Sequence, residues 1–145
     1  MQVDFYQLSR DPVERVLPQI ARRILDNGDR LLVVVPDPDQ RARVSEALWH
    51  AIPASFLAHG EAGEAHAASQ PILLGDDCTA TNAATHVAIC DGQWRSEALG
   101  FARAFHFFDD SVIDRARDAW RLLSRTPDVE PRFWRQDGGR WAQVA

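Results

Sequence analysis

Cys90 and Asp91 follow the apolar run Thr85-His86-Val87-Ala88-Ile89, a strand end of the kind where α/β enzymes place nucleophiles and acids. With His106 they form the one set that suggests a small α/β enzyme. No spacing ties a partner base to Cys90, and a single cysteine after a strand is more often a small buried apolar side chain. His59 and His66 flank Glu61 and Glu64, but the spacing matches neither HExxH nor a common zinc pattern, so no metal site is expected. Neither GxGxxG nor GxxxxGK[ST] occurs. The segment after the first apolar run reads Ser9-Arg10-Asp11-Pro12, without the glycines that let a backbone approach a pyrophosphate. No cofactor is expected, and an α/β enzyme using Cys90, Asp91 and His106 is the alternative reading rather than the main one.

A different chemistry lies late in the chain. At helical spacing, Val112, Ala116, Ala119 and Leu123 share one apolar face, with Ile113 and Trp120 on its shoulder. Arg117 and Arg121 lie beside that shoulder one turn apart, and Arg125 a turn further on. Such a face is open to two readings. Trp120 is core and the arginines are a solvated row paired with Asp114 and Asp118, or the whole is a groove for a short peptide carrying an apolar side chain and a carboxylate. A second aromatic cluster, Trp49, Ile52, Pro53 and Phe56, is either a satellite core under a loop or a docking patch. Trp134, Arg135, Arg140 and Trp141 could stack on single-stranded nucleic acid.

The elements that must position these groups alternate. Val3 to Leu8 is a strand. A helix opens at Asp11-Pro12 and closes at Asn27-Gly28. Arg30 to Val35 is a β-branched run suited to a strand buried on both faces. A helix follows Pro36-Asp37-Pro38-Asp39 to about Trp49, and Ile52 to Gln70 reads as irregular. Pro71 to Leu74 and Thr85 to Ile89 are strands, Ser96 to Arg103 a short helix, and Ala104 to Phe108 another strand. Asp109-Asp110-Ser111 caps a helix from Val112 to about Ser124, and the tail reads as a hairpin or extended arm. This order predicts an α/β fold: one three-layer domain over residues 1–145 with a mostly parallel sheet, shaped like a nucleotide-binding domain but lacking its phosphate loop.

Composition narrows the function. Hydrophobic residues make up 46% and charged residues 26% of the 145, in the soluble globular range. The N-terminus has no basic-then-apolar leader and no run is long enough to cross a bilayer, so a cytoplasmic protein without membrane contact is expected. Cys78 and Cys90 are too few for a disulfide framework. A net charge of -5 argues against direct binding to nucleic-acid phosphate. All 16 positive charges are Arg, the residue whose fork pairs a carboxylate at two points.

Several segments, in order, resemble the chi subunit of bacterial DNA polymerase III. They are Phe5-Tyr6-Gln7-Leu8; Ala47-Leu48-Trp49 with Pro53-Ala54-Ser55-Phe56-Leu57-Ala58-His59; Pro71-Ile72-Leu73-Leu74; Phe105-His106-Phe107-Phe108-Asp109; Ala116-Arg117-Asp118-Ala119-Trp120-Arg121; and Trp134-Arg135-Gln136-Asp137-Gly138-Gly139-Arg140-Trp141. The resemblance implies a non-catalytic adaptor of DNA replication. It would bind the acidic C-terminal tail of single-stranded DNA-binding protein and link it to the clamp loader through the psi subunit or an equivalent partner, touching DNA only indirectly. The family's peptide-binding positions fall on Arg117, Trp120 and Arg121, and a further basic position of the family is Ile113 in this chain. The psi-facing region corresponds to Trp49, Pro53 and Phe56.

Overall fold

The computed structural model describes residues 1–52, 56–137 and 139–145. The strands are β1 (Gln2–Leu8), β2 (Leu31–Val34), β3 (His59–Glu61), β4 (Ile72–Gly75), β5 (His86–Ile89), β6 (Arg103–Asp109), β7 (Glu130–Asp137) and β8 (Arg140–Gln143). Among the described residues they form one sheet in the order β3-β4-β2-β5-β6-β1-β7-β8. Every neighbouring pair is parallel except the β7–β8 hairpin. The helices are α1 (Val13–Asp26), α2 (Pro38–His50) and α3 (Ile113–Ser124).

Strand alternation sorts the core into two layers. Leu31, Val33 and Val35 pack with Phe105, Phe107 and the inner faces of α1 and α2. Leu32 and Val34 point the other way, to Phe5, Phe108, Phe133 and the inner face of α3. A run of consecutive apolar residues is what a strand covered by helices on both faces requires. Local signals set the helix ends. Asp37 caps α2 by accepting from the Gln40 N–H at 3.2 Å, with Pro38 at the first position. α1 ends on Gly28 at φ +81°, whose N–H reaches the Leu25 carbonyl while that of Asp29 reaches Ile24. This paired ending needs a left-handed residue at the glycine.

Three boundaries differ from the sequence expectation. The stretch from Ile52 to Gln70, expected to be irregular, contains the edge strand β3. Its three residues have no apolar alternation and are held by register with Ile72, Leu73 and Leu74. A Cβ on Gly60 would lie 2.8 Å from the Gln70 side chain, which covers the strand at this point and would have to shift for a larger residue. The short helix expected over Ser96 to Arg103 is a 3₁₀ turn over Ser96–Gly100, and Arg103 already belongs to β6. A 3₁₀ turn, Asp110–Val112, precedes α3, with Asp109 accepting from the Ser111 N–H at 2.9 Å.

β1 lies between β6 and β7, joined to both through Asp4. Its carboxylate is fully buried. Arg103 of β6 donates to it through Nε at 2.8 Å and pairs through Nη2 at 2.7 Å. Trp134 of β7 donates its indole N–H at 3.0 Å. The stitch fixes the three strands that carry the residues described next.

Candidate functional site

α3 is amphipathic as its spacing predicts. Ala116 and Leu123 are buried, and Val112, Ile113, Ala119 and Trp120 are half-buried against the second core layer. Arg117 and Arg121 are exposed. Between α3 and β7 a cavity of about 240 Å³ is lined by Arg117, Trp120 and Arg121, by Phe133 and Arg135, and by Val144 and Ala145. Three of the four residues expected to bind a peptide therefore meet in one cavity. Ile113 does not line it and packs into the core layer instead.

The sequence reading did not place Phe133, Arg135 or Val144 in this site. Period-two spacing puts Phe133 and Arg135 on one face of β7, the available signal. The side of the sheet they face follows only from the register Phe5↔Phe133. Residues 144 and 145 are pinned to β7 by the Val144 N–H to the Phe133 carbonyl at 2.8 Å and the Phe133 N–H to the Ala145 carbonyl at 3.0 Å.

The cavity has an apolar floor and a cationic rim. Arg121 pairs with Asp118 at 3.1 Å, but both groups are well exposed, so the pair is worth about 1 kcal/mol or less and yields easily to a ligand. Arg117 makes no ion pair among the described residues. The Trp120 indole N–H is buried without an acceptor among them, and a buried donor left unmade costs roughly 1–3 kcal/mol.

The second aromatic cluster is exposed. Phe56 has 73% of its surface in solvent and Trp49 39%, whereas Ile52 beside them is buried. The Trp49 ring lies 4.6 Å from that of His59. His59 is itself held at both nitrogens, by the Leu57 carbonyl and the Ser45 hydroxyl, each at 2.8 Å. Pro53, named with this cluster from the sequence, lies outside the described residues.

At the C-terminal strand ends a cleft of about 510 Å³ is lined by Arg10, Glu14, Gln40, Cys90, Asp91 and Ser111 among others. Burial, with Asp91 and Glu14 nearby, pushes the Cys90 thiol well above its ordinary range, the reverse of what a nucleophile needs. Burial alone would raise Asp91, but the Arg95 fork at 2.8 and 2.9 Å and the Gln93 N–H outweigh it and hold the carboxyl low. His106, pushed down to about 4 by burial, packs on Phe5 and Trp94 of the opposite layer from Cys90. The three residues of the enzyme alternative are thus split by the sheet.

Among the described residues no group of three or more His, Cys, Asp or Glu could hold a metal ion. Among the described residues no helix is long and apolar enough to cross a membrane. The rings that could have stacked on nucleic acid are engaged internally: Trp134 lies parallel to Tyr6 at 6.3 Å and Trp141 meets it edge-on at 5.0 Å.

A family model described as "DNA polymerase III chi subunit, HolC" matches residues 1–127. The protein named DNA polymerase III subunit chi of Escherichia coli (strain K12) is 27% identical over 130 residues, covering 81% of this chain and 86% of that protein.

Proposed function

The chain belongs to the DNA polymerase III chi subunit family, and on that premise we propose that it is a non-catalytic replication adaptor. In this reading the cavity between α3 and β7 holds the acidic C-terminal tail of single-stranded DNA-binding protein. The observation that carries it is the meeting of an apolar floor, Trp120 and Phe133, with the guanidinium groups of Arg117, Arg121 and Arg135 around one cavity. A peptide ending in an aromatic residue places its ring on that floor and its terminal carboxylate in an arginine fork. Binding near -8 kcal/mol, on the order of micromolar, is expected, with avidity added when many tails are displayed on one DNA strand.

Titration with a peptide copying the tail tests this reading. Arg117→Ala should weaken binding about tenfold, as loss of a charge-assisted hydrogen bond does. Removing the last residue of the peptide should abolish binding. Equal affinity of the folded variant and the wild type for the tail would exclude the site.

The exposed Trp49 and Phe56 rings support a second docking surface, with Pro53 included on the family resemblance alone. Its proposed partner is the psi subunit of the clamp loader or an equivalent protein. Phe56→Ala should leave the melting temperature nearly unchanged and remove that partner in co-purification. A stability loss of about 3–5 kcal/mol, the cost of a core Phe, would make Phe56 structural instead.

A further inference from the structure

On the opposite flank of α3 from the Arg117 cavity lies another, of about 270 Å³, lined by Gly92, Gln93, Trp94, His106 and Arg115. At about 100° per residue, Arg115 falls across the buried Ala116 and Leu123 stripe from Arg117 and Trp120. His106 reaches the cavity from the middle of β6, edge-on to Phe5 at 5.3 Å and to Trp94 at 5.6 Å. The residue is 1% exposed, and its Nδ1 is buried without a hydrogen-bond partner among the described residues. Buried polar atoms are normally paired. The other rings of this strand, Phe105, Phe107 and Phe108, are apolar, so the imidazole is a departure from what packing alone would place here. Arg115 brings a guanidinium to the mouth and makes no ion pair among the described residues.

We propose that this pocket binds a carboxylate, with Arg115 pairing its charge, a ring N–H of His106 donating from the floor and Trp94 forming a wall. The carboxylate is either an acidic side chain of a protein partner or a small organic acid. Its size, below the roughly 300–1,000 Å³ of drug-sized sites, admits one side chain or a small acid. The nearby charges do not compete, because Asp91 and Arg95 are locked to each other at two points. The imidazole is neutral at neutral pH, since burial pushes it to about 4, and so it offers one N–H without adding charge. The pocket shares no lining residue with the Arg117 cavity, so either assignment can fail alone.

Protein carrying isotope-labelled histidine and tryptophan is titrated with acetate and, separately, with an amidated peptide of alternating Asp and Gly. That peptide lacks the terminal aromatic and free carboxylate suited to the Arg117 cavity. The His106 ring nitrogens and the Trp94 indole should shift with at least one probe. Shifts with both mark a pocket open to free acids, and shifts with the peptide alone mark an acidic side chain. Arg115→Ala, a surface change that spares the core, should weaken binding about tenfold. His106→Phe should abolish it while the melting temperature holds or rises, since an apolar ring removes the unpaired nitrogen. Trp120→Ala should leave these shifts unchanged. Silence of His106 toward both probes, or full affinity in Arg115→Ala, would overturn the proposal and leave a pocket that holds only water.

Discussion

Replacing Trp120 with Ala is expected to lower affinity for the tail of single-stranded DNA-binding protein about thirtyfold or more. This is a larger effect than loss of Arg117 or of Arg121. The indole forms a wall of the α3–β7 cavity and is half-buried against the core layer beneath it, so it presents a rigid surface at little entropic cost. Central aromatic anchors of this kind are worth about 2 kcal/mol or more, and 1.4 kcal/mol is a factor of ten. The arginines at the rim are exposed to solvent, so their ion pairs are weak and lose strength as salt rises. Trp120→Phe separates the parts of the ring: it keeps an apolar wall but removes the unpaired indole N–H, and should retain most of the affinity. Calorimetry beside thermal melts of each variant decides the matter. A folded Trp120→Ala protein that binds the tail as wild type does would mean that the cavity is not where the peptide sits.

The second large effect concerns stability. Arg103→Ala should destabilise the protein by roughly 3 kcal/mol, the lower part of the range for breaking a buried pair, because the Arg103 head is partly in water. The cost lies in what remains, a fully buried Asp4 carboxylate with only the Trp134 N–H and the Gln2 amide to hold it. For a chain of this size that is a fall in melting temperature of about 10 °C. Asp4→Asn in the same protein should recover much of the loss, since Asn keeps an acceptor for Trp134 without a charge to strand. A double-mutant cycle reads the coupling. Additive losses in the double variant would show that Asp4 and Arg103 do not act as a unit.

The parts legible from sequence were those decided within a few residues. Leu31 to Val35 announced a strand covered on both faces, and Asp37-Pro38 and Asn27-Gly28 marked helix ends through capping and the left-handed glycine. Arg117, Trp120 and Arg121 were legible as one helical flank. What escaped depended on register between distant segments. β3 has no pattern of its own and exists through pairing with β4. Phe133 and Arg135 share a face by alternation, but their place under α3 follows from pairing with β1. Cys90 follows the end of β5 and His106 sits in the middle of β6, where Ile89 pairs beside it, so Cys90, one residue further, points to the opposite layer. A single step in strand parity divides a plausible catalytic set that spacing alone had left open.

The place of β1 also bears on how the chain acquires its shape. Gln2 pairs with Arg103 on one side and with Glu130 on the other. β1, made well before the strands on either side of it, is therefore among the last to find its neighbours. Until residues 103–137 have been made, β1 has both hydrogen-bonding edges open and Phe5 without its ring partners Phe108 and Phe133. Loop-closure entropy must be met before these distant contacts return anything, which slows folding and lengthens exposure of an adhesive strand. Formation of the cavity is thereby tied to late translation: β7, which forms one side of the α3–β7 cavity, is also the strand that closes one edge of β1, so that cavity and the completed sheet arrive together.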